Sequence, residues 1–253
     1  LRGLLAALVV ADHALTELGS KALGMAADIA VAIFFGISGL VLTRAWGAPF
    51  GIFLIRRFIR LWPVFALCLA AGGLLAGQWP VLLEFIWLPI PRYDGVTLCP
   101  PMWSLFLEAW AALAMPAIVW SARGGALRTL ASMAACVTLA AVWHPSNLSL
   151  RAATSYLVCF VAGAGLSRTE PRGTLLESPP AQWLGRISYS LYLTHWLVLH
   201  AAARWGGAPG TIVGIPLAFG VAWGVWRLVE WPSIVLSRKV ESSFLKKRTK
   251  KPL

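Results

Sequence analysis

Charge is what this chain has least of. Only 13% of its 253 residues are Asp, Glu, Lys or Arg, about half the share of a soluble domain. Acidic groups are scarcer still, 10 against 22 Lys and Arg, for a net charge of +12. Cysteine is also sparse. The four residues Cys68, Cys99, Cys136 and Cys159 are scattered, which excludes a disulfide scaffold and gives no zinc-like spacing. Three lie inside apolar runs, where a free thiol behaves as a small hydrophobe. No metal is expected. Alternating apolar and polar segments of about ten residues are missing too, which argues against a transmembrane β-barrel. Internal repeats and low-complexity tracts are lacking. The chain opens without a methionine, as a fragment of a longer protein does. No cleavable signal peptide is expected, because the first apolar run leads straight into others.

What is present is oil. Hydrophobic residues make up 58% of the chain and mean hydropathy is +0.73. The apolar residues come in blocks whose length matches a bilayer core of roughly 30 Å at 1.5 Å per helical residue. The expected fold is all-α: a polytopic bundle of about eight spans, at 3–20, 26–43, 58–77, 102–120, 127–143, 152–167, 187–203 and 210–228. Residues 91–101 and 167–182 read as loops. One membrane domain is expected over 1–236, followed by a basic tail at 237–253 that is drawn to anionic lipid.

Lys and Arg placement sets orientation. With the N-terminus inside, only Lys21, Arg92, Arg151 and Arg204 fall outside, and the remaining 18 of 22 fall inside. Both termini are therefore expected on the cytoplasmic side of the inner (plasma) membrane. The positive charge is spent on topology, and no nucleic-acid partner is expected. The stretch WPVLLEFIWLPI at 79–90 is too short for a span and is interrupted by Glu84. Treating it as a span would also put the basic tail outside, so it reads as one short interfacial or re-entrant helix.

A charged group at the bilayer centre costs roughly 2.5–3.5 kcal/mol on insertion scales. Polar residues at that depth therefore ask for a reason. Counting 1.5 Å per residue from the inner face puts His13 at about 16 Å, Ser38 at about 14 Å, Glu108 at about 22 Å and His195 at about 13 Å. Four spans thus bring polar side chains to nearly one layer. Each has a plainer alternative. A histidine in a span can simply bond a neighbouring helix. Ser38 in GISG can be a packing device. Asp12 points about 100° away from His13 and is a poor partner for it. Glu17, one turn on, either orients His13 or is an exposed interfacial acid.

The stretch IRRFIRLWP places Arg56 and Arg60 on one face at i,i+4, and Arg57 and Arg60 at i,i+3. Arg2, Arg44 and Arg186 sit at the same inner end. Anchoring by the positive-inside rule explains any one of them. Together they suit a polyphosphorylated ligand, because guanidinium groups bind phosphate oxygens bidentately.

Six stretches then resemble one family in order: LRGLLAALVVADH, FFGISGLVL, RRFIRLWP, WSLFLEAW, LGRISYSLYLTHW and RLVEWP. They are similar to the signatures of the acyltransferase 3 family of integral membrane acyltransferases, and run from residue 1 to about 232. The resemblance implies transfer of an acyl group, commonly acetyl, from cytoplasmic acyl-CoA (a cosubstrate) to a hydroxyl of a surface or secreted carbohydrate. It implies His13 as catalytic base and Glu108 as an essential acid. Arg2, Arg56, Arg57 and Arg60 become the candidates for holding the acyl-CoA phosphates. Ser38, Trp103, Ser104, Tyr192 and His195 become candidates for contact with substrate. Carbohydrate and membrane lipid are the implied partners, and the oligomeric state stays open. Two other functions compete. One is a transporter or flippase of a sugar or lipid-linked precursor, which midplane polar groups also suit. The other is a truncated, noncatalytic member of the family.

Overall fold

A computed structural model describes residues 1–20, 22–77, 99–142, 148–168 and 178–249. Every regular element among them is helical. The helices are α1 (Arg2–Glu17), α2 (Gly24–Arg44), α3 (Phe50–Ala76), α4 (Trp103–Leu113), α5 (Met115–Arg123), α6 (Ala126–Val142), α7 (Leu148–Gly165), α8 (Pro179–Val225) and α9 (Trp231–Thr249). Short 3₁₀ turns lie at Pro100–Met102 and Leu166–Arg168, and a π-turn at Trp226–Glu230.

Apolar residues on both sides of α1 make it the centre of the bundle. Leu5 and Val9 point into a core shared with α2, α3, α4 and α7, while Ala6, Val10 and Ala14 pack on Ile187, Leu191, Ala218 and Ala222 of α8. Small residues let α2 and α7 cross closely. A Cβ on Gly39 would stand 1.9 Å from the Phe160 carbonyl oxygen, so this crossing needs glycine.

Helix α8 is two arms, not one rod. Gly207 has φ +56° and ψ −141°, outside helical geometry, a conformation glycine adopts without steric cost. The chain reverses there. Gly214 then lies against Leu199 and Ala202, and Ala218 and Ala222 share a core with Ile187 and Leu191. Pro232 explains the π-turn that follows. It has no N–H to give the Leu228 carbonyl, and the ladder widens to pass it.

Among the described residues, three segments are long and apolar enough to cross a membrane: Gly24–Arg44, Phe50–Ala76 and Pro179–Phe244. Counting the bent pair α4 and α5 as one crossing makes four. The eight expected spans are not all of spanning length. The 16 residues of α1 reach about 24 Å, short of a bilayer core. Among the described residues, apolar helix in the region of α6 and α7 covers Ala126–Leu139 and Tyr156–Arg168. The expected span at 102–120 bends by 65°, where Pro116 removes a donor from the ladder. The expected spans at 187–203 and 210–228 are the two arms of α8, which fold back on each other at Gly207 and form one continuous segment in that count. Helix α3 begins at Phe50, well before the expected start at 58, so the arginine cluster lies inside the helix. The tail is helical to Thr249 and docks through Glu241 on Arg56 of α3. Residues 79–90 and most of the 91–101 loop fall outside the described residues.

Candidate functional site

Arginines, an acid and two histidines gather along α1, from its N-terminus toward its other end. At the N-terminal end, Arg2 donates through Nη2 to Ser38 Oγ of α2 at 2.7 Å. Its guanidinium lies over the Phe34 ring, 4.9 Å from the centroid. Ser38 is fully buried, so its hydroxyl holds the arginine in place and is more than a packing device.

Arg57 of α3 forms an ion pair with Glu108 of α4, Nη2 to Oε1, at 2.9 Å. Their side chains are only 13% and 12% exposed. Depth counted along the sequence separates these two residues. The structure joins them because Arg57 stands seven residues into α3, about 10 Å from its start, and because α4 is tilted relative to α5. Glu108 therefore neutralises an arginine and does not touch His13.

The other arginines differ in employment. Arg56 is paired with Glu241 of α9 at 2.5 Å. Arg60 is exposed at the same end. The Arg44 Nε–H donates to the Ser167 carbonyl at 3.0 Å.

Between these groups lies a narrow cavity of about 20 Å³, walled by Leu5, Val9, Phe34, Ser38, Glu108 and Tyr192 among others. That is room for about one water. Ser104 also lines it, and its hydroxyl donates to the Pro101 carbonyl at 3.0 Å. Trp103 packs on Phe35 and Tyr156, with ring centroids 6.4 and 5.1 Å away, so its indole is part of the wall's backing. Tyr192 stacks on Phe34 at 6.0 Å, and its ring lies 6.0 Å from that of His195.

One turn beyond Val9 is His13, half-buried. Its Nδ1 lies 2.8 Å from Nε2 of His195, which is completely buried on α8, and the rings stack with centroids 5.0 Å apart. His195 Nδ1 is 3.0 Å from the Leu191 carbonyl oxygen. Glu17 is not the partner of His13. It reaches His200 of α8 at 3.2 Å. Asp12 is buried, and its Oδ1 has no hydrogen-bond partner.

Past His200 a larger cavity of about 430 Å³ opens, with Trp196, His200, Arg204 and Trp205 in its wall. His200 stacks flat on Trp196 at 4.7 Å.

Two groups escaped the sequence reading. Glu230 is 2% exposed and accepts a 2.6 Å hydrogen bond from Ser190. The Tyr189 hydroxyl donates to the Leu61 carbonyl at 2.7 Å, tying α8 to α3 beside Pro63. Both lie in quoted stretches, RLVEWP and SYSLYLTHW. An acid in an apolar segment was the available signal for Glu230.

The arrangement offers cations at one end, a neutralised acid beside a narrow cavity, and an imidazole pair further along. A sequence profile described as an acyltransferase domain matches residues 1–181. A protein described as "Protein 2 in picA locus", from Rhizobium radiobacter, is 32% identical over 134 residues, covering half of this chain and 67% of that relative. No solved structure shows a significant match.

Proposed function

The chain belongs to the acyltransferase 3 family and is an integral membrane acyltransferase, and from that premise we propose that it moves an acyl group, acetyl in the simplest case, from cytoplasmic acyl-CoA to a hydroxyl of a surface or secreted carbohydrate. The observation that carries this reading is the order of groups along α1. Guanidinium groups stand at one end and the imidazole pair eleven residues further on, with Glu108 and a cavity between.

Arg2, Arg57 and the exposed Arg60 take the phosphates of CoA at the cytoplasmic end, where planar guanidiniums suit phosphate oxygens. Arg56 is committed to Glu241, so its share in donor binding requires α9 to give way. Both termini lie on this cytoplasmic face of the inner membrane. The pantetheine arm follows α1 toward His13. A cavity of about 20 Å³ is too small for it, so donor binding parts α1 from α2 and α4.

The acceptor arrives from the opposite end, past Trp196 and Arg204. His13 takes the proton from the acceptor hydroxyl as that oxygen attacks the thioester carbonyl carbon. The carbon–sulfur bond then breaks. The thiolate of CoA leaves and recovers the proton from His13, giving an ester and free CoA. Glu108 holds Arg57 in register without handling a proton.

Mass spectrometry of cell-surface glycans tests this reading. Deleting the gene removes one acyl mass from a glycan, and restoring the wild-type gene returns it, whereas the His13→Ala gene does not. Glycans of identical mass in all strains overturn the proposal.

A further inference from the structure

The contact between His13 and His195 has a direction, and the direction decides which nitrogen can work. A carbonyl oxygen only accepts. The 3.0 Å contact between His195 Nδ1 and the Leu191 carbonyl therefore places a hydrogen on Nδ1. In a neutral imidazole the other nitrogen then carries a lone pair. His195 is fully buried, and its ring nitrogens meet the backbone of Leu191 and Tyr192 and another imidazole, with no carboxylate among them. A charge there would be uncompensated, which makes the neutral form the stable one. Its Nε2 must accept, so the 2.8 Å contact is a hydrogen bond donated by His13 Nδ1. The remaining nitrogen of His13, Nε2, is left with the lone pair.

We infer that His195 is a positioning residue that fixes His13 in the Nδ1–H tautomer and presents His13 Nε2 as the working nitrogen. This rests on the proposed role of His13 as base and extends it. The chain of bonds is Leu191 carbonyl, His195, His13, acceptor hydroxyl. A backbone oxygen of α8 anchors it, where a buried aspartate serves in the Ser-His-Asp triad. When His13 is protonated at Nε2, its Nδ1–H still donates to His195, so the relay costs no rearrangement. Neither carboxylate of α1 is seen to hydrogen-bond His13: Asp12 Oδ1 makes no hydrogen bond, and Glu17 is turned to His200. The role of His195 is thus indirect: it does not itself reach substrate.

The test uses the full chain in detergent or lipid, labelled with ¹⁵N-histidine. Only four histidines are present, so the ring nitrogens are separable. The wild-type spectrum is expected to show His13 with a protonated Nδ1 and a bare Nε2. His195→Leu keeps an apolar volume but removes the acceptor. It should release that tautomer and lower kcat by on the order of 10³-fold, the scale on which a lost orienting group acts, while KM for acyl-CoA stays within about twofold. His195→Gln, whose side-chain oxygen can accept the same bond, should restore most of kcat. A wild-type His13 protonated at Nε2 overturns the inference. So does a His195→Gln protein as inactive as His195→Leu. Should His195→Leu fail to fold, the wild-type spectrum and His195→Gln still decide. The spectrum needs no substrate, so the tautomer is settled separately from whether the protein transfers acyl groups.

Discussion

Removing either member of the Arg57–Glu108 pair should cost far more than removing both. At 2.9 Å the pair gains about 6 kcal/mol of Coulomb energy at an effective dielectric near 20, before desolvation. With side chains 13% and 12% exposed, most of that gain offsets the loss of hydration. What a mutation removes is different. Arg57→Met leaves a carboxylate facing a narrow apolar cavity, and Glu108→Met leaves a guanidinium unneutralised in the same place. Each is expected to lose roughly 3 kcal/mol of stability, the lower end for breaking a buried pair. The double variant replaces both charges by apolar side chains of similar length. It should lose less than either single change, because apolar replacement of a whole buried pair is often neutral. The assay is reversible unfolding in mixed detergent micelles, read as a double-mutant cycle. Effects that add to within about 0.5 kcal/mol would refute the pairing. The double variant should also be inactive although stable, which separates the pair's contribution to folding from its place at the donor path.

Four further outcomes follow from the structure. Arg56→Ala should destabilise the docking of α9 by under about 1 kcal/mol, since the Arg56–Glu241 pair is 27% and 30% exposed; proteolysis should nick the tail sooner. Arg60→Ala should instead raise KM for acyl-CoA several-fold with little change in stability, measured by turnover against donor concentration. Gly39→Ala should cost about 1–3 kcal/mol, because its Cβ meets the Phe160 carbonyl at 1.9 Å. A thermal shift no larger than that of Gly24→Ala, where the new Cβ meets open space, would contradict the close crossing. Trp196→Ala is expected to raise KM for the acceptor while KM for acyl-CoA holds.

The helices were legible because apolar runs of this length leave few alternatives. Their ends and crossings were less so. The break at Gly207 falls between the expected spans 187–203 and 210–228, in a Gly- and Pro-rich stretch, whereas Pro116 bends the chain where local sequence gives only weak punctuation. The helical spacing of Arg56, Arg57 and Arg60 was legible, but the early start of α3 at Phe50 sets them about two turns further inside the helix. The polar layer was visible as residues of unusual depth, but not as pairs. Depth runs along each helix, whereas partners are set by rotation around it. Counting along the chain therefore set Glu108 in nearly the same layer as His13 and far from Arg57. His195 was found as a buried imidazole, yet its partner, 182 residues away, depends on how α1 lies against α8. Glu230 was passed over because its segment ends in WP, which reads as a helix boundary and hides the π-turn that buries the acid.

Turnover by purified protein carrying the single change His13→Ala tests the central claim most directly. With labelled acetyl-CoA and a carbohydrate acceptor, wild type should form a labelled ester. The variant should bind acetyl-CoA with unchanged affinity and form none. Undiminished ester formation by His13→Ala would contradict the account.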